Sequence, residues 1–105
     1  MEKPEQWVLL KIGDDLYKVF ATWRGGYTGS DTWRLNSGVQ AVTIKDDSIH
    51  FQGFSGSEYI CAYSPASYMV GGTYLNGILN KILDSSTSIS LVDYDDLEDI
   101  INQFA

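Results

Sequence analysis

From residue 7 to residue 63, apolar and polar positions alternate in short runs. From residue 73 onward, apolar positions recur every three or four residues. Trp7-Val8-Leu9-Leu10-Lys11-Ile12 is a short apolar run closed by the turn residues Gly13-Asp14-Asp15. Over residues 16–24, Tyr17, Val19, Ala21 and Trp23 fall on one face and Lys18, Thr22 and Arg24 on the other. That period of two predicts a half-buried strand, and the two runs together predict a hairpin. A polar stretch, Gly25 to Asp31, follows. Thr32–Leu35 then predicts a short strand, Asn36-Ser37-Gly38 a turn, and Val39–Lys45 a strand rich in β-branched residues. Asp46-Asp47 turns the chain into a strand at 49–54, and Ser55-Gly56 turns it into another at 57–63. Connections this short join antiparallel neighbours, because a parallel crossover needs about a dozen residues or more.

Residues 64–72, with Pro65 and the pair Gly71-Gly72, read as a loop. Beyond it, Leu75, Ile78, Leu79, Ile82 and Leu83 make one apolar stripe of a helix, with Thr73 as its N-cap. Residues 84–88 break the pattern, and Ile89–Val92 predicts a short strand. Leu97, Ile100, Ile101 and Phe104 make a second helical stripe behind Asp93 or Asp95 as cap. Neither helix is long enough to be stable alone in water, so each must lay its stripe on the sheet. The expected architecture is one α+β domain over residues 1–105. It has an antiparallel sheet of five or six strands, built from meander-like hairpins and packed on one face by two C-terminal helices.

Composition narrows the function classes. The chain has 105 residues, the usual size of one domain, and its 44% hydrophobic and 20% charged residues match an ordinary folded protein. Fourteen acids against seven bases give a net charge of -7. That argues against a nucleic-acid binder held by phosphate contacts, which needs a basic stripe. It favours solubility and can attract a basic partner. Cys61 is the single cysteine, so no internal disulfide forms. The polar start Met1-Glu2-Lys3-Pro4-Glu5-Gln6 does not read as a secretory signal, and no apolar run is long enough to span a membrane. The expected location is the cytoplasm, away from membranes.

The densest candidate site is residues 23–38, where Trp23-Arg24 and Trp33-Arg34 flank a glycine-rich loop carrying Tyr27. Aromatic residues and Arg are the types most enriched at binding hot spots. Arg also forks onto carboxylate or phosphate, and glycine lets a ligand approach the backbone. Arg24, Tyr27, Trp33, Arg34 and Asn36 are therefore the candidate binding residues. As a small-ligand pocket they would place Arg on a phosphate and the aromatic rings on a base. The competing reading makes the tryptophans core and the glycines the shaping residues of a long hairpin. No Gly-Lys-Ser/Thr follows, so this is not a phosphate loop. The alternation places Trp23 in the core, whereas Trp33 and Arg34 are expected to be partly exposed beside Tyr27 at one end of the sheet.

Two further sets of residues carry possible chemistry. If Ser55-Gly56 is a two-residue hairpin loop, His50 faces Cys61 across the ladder, the start of a thiol nucleophile. A one-residue change in loop length moves the two to opposite faces, and no orienting acid is evident. A buried, inert Cys61 is the stronger expectation. The run Asp93 to Asp99 holds five acids and no base. It lacks the central glycine and terminal Glu of a calcium loop. Acids at a helix start are favoured by the helix dipole, and Asp95, Asp96, Glu98 and Asp99 can also form a docking face for a basic partner. With one His and one Cys, no metal site is expected, and neither is a cofactor or a catalytic set.

The stretches Tyr17-Lys-Val-Phe-Ala-Thr-Trp, Gly25-Gly-Tyr, Trp33-Arg-Leu-Asn-Ser-Gly and Gly53-x-Ser-Gly-Ser-x-Tyr59-x-Cys61 resemble small uncharacterised proteins encoded by bacteriophages and prophages. The resemblance covers about residues 17–63 and carries no catalytic role. It implies a phage accessory gene, whose products often bind and block host machinery, including defence systems. The expected function is thus a non-enzymatic binding protein acting on a host protein. A small-ligand or nucleotide binder using residues 23–38 is the alternative, and an edge strand offers a route to a homodimer.

Overall fold

The structure is a computed structural model that describes residues 1–25 and 29–104. β1 (Gln6–Ile12) and β2 (Leu16–Trp23) form the expected hairpin, pairing Val8 with Phe20 and Leu10 with Lys18. Gly13 closes it at a φ of 66°, a left-handed conformation that glycine adopts without a Cβ clash. These strands are more deeply buried than the alternation suggests. Trp7 to Leu10 and Val19 to Thr22 are buried without a break, so both faces of the hairpin are covered.

β3 (Thr32–Leu35) pairs with β2, and β7 (Ile89–Leu91) pairs with β1, giving a four-stranded antiparallel sheet in the order β3-β2-β1-β7. β4 (Val39–Lys45), β5 (Ser48–Gly53) and β6 (Glu58–Ala62) form a second, three-stranded antiparallel sheet. This corrects the expectation of one sheet of five or six strands. The separation is made at the turn after β3. The Asn36 N–H donates to the Val19 carbonyl, and Asn36 Oδ1 accepts the Val19 N–H at 2.9 Å. One residue thereby satisfies both peptide groups of Val19 and ends the ladder. Gly38, at a φ of 134°, then redirects the chain so that β4 starts a new sheet.

Trp7, Leu9, Tyr17, Val19 and Ala21 line one face of the four-stranded sheet. They meet Val39, Ile49, Phe51, Tyr59 and Cys61 of the second sheet in one core, where the Trp7 and Phe51 rings stand edge to face at 5.4 Å. Val8, Leu10 and Phe20 line the other face and are covered by α1 (Thr73–Asp84) through Leu79. The stripe of α1 is as expected, with Leu75 and Leu79 buried and Ile78, Ile82 and Leu83 half-buried. After β7 the chain rounds the sheet edge and makes a 3-10 turn (Tyr94–Asp96). α2 (Leu97–Gln103) follows and inserts Leu97, Ile100 and Ile101 into the first core. The helices therefore lie on opposite faces of the four-stranded sheet, not together on one. Each fully buried Leu, Ile or Phe contributes roughly 1.5–3 kcal/mol.

Neither cap is made by the expected side chain. Gly72 occupies the N-cap of α1 and Thr73 is its first helical residue. Asp93 precedes the 3-10 turn, Asp95 lies inside it and Asp96 is the N-cap of α2; no carboxylate accepts a capping bond there. At the start of the chain, the Glu2 N–H donates to the Glu58 carbonyl and the Ile60 N–H to the Glu2 carbonyl, both at 2.8 Å. This parallel bridge covers part of the outer edge of β6.

Candidate functional site

Two surface regions gather the candidate residues. The first lies where β2 ends and β3 begins. Arg24 Nε is 3.2 Å from Asp31 Oδ2, and Asp31 Oδ1 accepts the Gly25 N–H at 2.9 Å. The guanidinium lies against the Gly71-Gly72 segment that leads into α1. A Cβ on Gly71 would stand 2.9 Å from Arg24 Nη1, and one on Gly72 3.2 Å from Cζ. Glycine there lets the arginine pin the start of α1 to the hairpin. Trp33 is 37% exposed and stacks on Phe20, on the same face of the sheet as α1.

Arg34 pairs with Ala21 and so points to the opposite face, where its Nη1 is 3.7 Å from Glu2 Oε1. Burial raises the Tyr59 phenol above its ordinary range, with the nearby Arg34 lowering it and Glu2 raising it. Asn36 is 3% exposed and serves the turn described above; its Nδ2 has no hydrogen-bond partner among the described residues. Tyr27 lies outside the described residues. Of the candidate binding residues, Arg24 and Trp33 share a face, Arg34 takes the other, and Asn36 is interior. A cavity of about 450 Å³ lies beside Arg24's partner and is lined by Ser30, Asp31 and Tyr74. Tyr74, 57% exposed, was not singled out by sequence reasoning. The available signal was a large aromatic in the first helical turn, off the apolar stripe.

The second region is the 3-10 turn and α2. Leu97, Ile100 and Ile101 anchor the helix, which leaves Asp95, Asp96, Glu98 and Asp99 exposed. Among the described residues none of these four carboxylates lies within 4 Å of a basic group. Asp96, Asp99 and Gln103 form one ridge of α2 and face Lys11, Ser90 and Leu91 across an open groove of about 300 Å³. Lys11 and Leu91 are additions that the acidic run did not reveal.

His50 and Cys61 do not come together. The Gly53 N–H donates to the Ser57 carbonyl, so the loop holds three residues, with Gly56 at a φ of 89°. Cys61 therefore faces Ile49, while His50 pairs with Ile60 on the other face. His50 Nδ1 lies 3.4 Å from Glu58 Oε1. Cys61 is fully buried, and burial pushes its thiol well above the ordinary range, which suppresses the thiolate a nucleophile requires. Among the described residues no three His, Cys, Asp or Glu side chains gather to hold a metal ion, and no helix is long and apolar enough to cross a membrane.

No family model, no curated protein and no solved structure matches the chain.

Proposed function

We propose that the protein is a non-enzymatic binding module that docks a basic surface of a host protein through the 3-10 turn and α2, and so modulates or inhibits that protein. The observation that carries this reading is the set Asp95, Asp96, Glu98 and Asp99, exposed and, among the described residues, without a basic group within 4 Å, on a 3-10 turn and helix fixed from beneath by three buried residues. Carboxylates clustered on one anchored element steer a cationic partner toward it. The phage accessory setting implied by the resemblance, and a cytoplasmic location, belong to the same proposal. Retention of host proteins on the immobilised protein, compared with an Asp95→Asn/Asp96→Asn/Glu98→Gln/Asp99→Asn variant, tests it. A basic partner held by the parent and released by the variant supports docking at this face. Equal retention on both places the interaction elsewhere.

The cavity beside Tyr74 favours a second reading, a small-ligand binder at the end of β2. Tyr74 offers an exposed ring for stacking. Against a phosphate ligand, Arg24 is already paired with Asp31 and Arg34 lies on the far face. Tryptophan fluorescence during titration with a nucleotide panel discriminates, because Trp33 stands on the same face as that cavity; an unchanged signal removes this reading.

A further inference from the structure

β7 is the outermost strand of the four-stranded sheet, and its free edge forms one wall of the groove beneath α2. The Gly13 N–H donates to the Ser88 carbonyl and the Val92 N–H to the Leu9 carbonyl. Residues 88, 90 and 92 therefore turn their peptide groups toward β1, and Ile89 and Leu91 turn theirs outward. The Ile89 N–H is taken locally by the Ser86 carbonyl. The Leu91 N–H, the Leu91 carbonyl and the Ile89 carbonyl have no partner among the described residues. They form a short template for one more strand, centred on Leu91.

Strand geometry fixes which side chains such a strand would carry. The residue opposite Leu91 would place its side chain on the face of Leu91, which is 43% exposed, and of half-buried Ile89. Its two neighbours would point to the face of Ser90 and Lys11, over the groove walled by Asp96 and Asp99. Among the described residues that line this groove, Asp96 and Asp99 are the acids and Lys11 is the base. We infer that β7 receives an extended segment of a partner protein in which basic residues flank an apolar one. The segment adds a strand at Leu91 and sets its basic side chains against Asp96 and Asp99. A second copy of this chain does not fit the same edge, because pairing β7 with its twin would bring two acidic α2 helices together in a protein of net charge -7.

This inference rests on the acidic-surface reading and deepens it, and the test separates the two. The probe is the capped peptide Lys-Val-Lys-Val-Lys-Val-Lys, compared with the same peptide N-methylated at its valines and with its glutamate counterpart. Binding is followed at the backbone amides by NMR and hydrogen exchange. The lysine peptide is expected to bind, to slow exchange at Leu91, and to lose about tenfold in affinity on N-methylation and again with Asp96→Asn/Asp99→Asn, as charge-assisted and backbone bonds are removed. The glutamate peptide is expected not to bind. Equal binding of the N-methylated peptide, with shifts confined to Asp95 and Glu98, overturns strand addition and leaves acidic docking intact. No binding of either lysine peptide removes both. A dimer in sedimentation that protects Leu91 without peptide also overturns the proposal.

Discussion

The indole of Trp33 stacks on the ring of Phe20, with centroids 5.6 Å apart and planes inclined by 27°. Phe20 is fully buried, while Trp33, on the edge strand, remains 37% exposed. One ring is core and the other is its lid.

Trp33→Ala should therefore cost about 1–2 kcal/mol, below the roughly 3–5 kcal/mol of a buried Phe or Trp. Trp7→Ala should reach that upper range, because Trp7 is fully buried between Phe51 and Tyr68 and donates its indole N–H to the Ala62 carbonyl at 2.8 Å. Urea unfolding of the two variants checks the order. Trp23→Ala should fall between them, since Trp23 is half-buried and bonded to the Lys3 carbonyl.

Asn36→Ala should destabilise the domain by about 1–3 kcal/mol, the penalty of leaving a buried donor unmet. The Val19 N–H loses the acceptor that closes the β2–β3 ladder. Asn36→Asp keeps an acceptor in place and removes the partnerless Nδ2, but buries a charge, so it should be worse than Ala at neutral pH and recover as pH falls. Thermal melts at pH 4 and pH 7 distinguish the two variants.

Stability should decline as the solution becomes alkaline. Burial raises both the Cys61 thiol and the Tyr68 phenol above their ordinary values of 9.0 and 10.0. Below those values both groups are protonated in folded and unfolded chains, and their full contribution is present. Above them the unfolded chain releases protons that the folded chain retains, so stability is lost as pH rises from about 9 toward the raised folded values. Urea midpoints between pH 7 and pH 11 should fall, and a Cys61→Ala/Tyr68→Phe variant should show a shallower fall from a lower starting point. The Tyr68 hydroxyl also donates to the Val92 carbonyl and accepts the Leu9 N–H, and these bonds are lost in the variant at every pH.

Gly56→Ala should cost about 1 kcal/mol through backbone conformation alone, because its φ is 89° and a Cβ there meets nothing within 4 Å. Gly38→Ala should cost more. Its φ is 134°, and the added Cβ would approach the Phe54 ring to 2.8 Å and the Leu16 side chain to 3.0 Å. Circular-dichroism melts of the pair separate conformational from steric cost.

The order of strands and helices was legible because each element carries its own period. What remained hidden was how elements share faces. Phe20 lies on the face of Lys18 and Thr22, and it was the residue that could have shown both faces of β2 to be buried. Neither Asn36 nor Gly38 announces a change of sheet, since Asn-Ser-Gly is equally a hairpin turn. The register of His50 and Cys61 hung on whether the loop held two residues or three, and one residue reverses every side chain beyond it. Of the candidate sites, the acidic run was visible in composition. The groove behind it depends on β7 pairing with β1, a contact local patterns do not encode.

That β1–β7 pairing also sets a timetable for folding. Leu10 waits for Leu91, while Trp7 bonds to Ala62 and Ser67. The β1–β2 hairpin needs only residues up to 23, yet the inner strand β1 keeps an open flank until Ile89–Leu91 reach it. Closing such distant contacts is entropically slow, on the order of milliseconds to seconds for domains dominated by non-local pairs. Stopped-flow refolding should show a single slow phase, and a chain truncated before residue 89 should remain sticky at the exposed flank of β1.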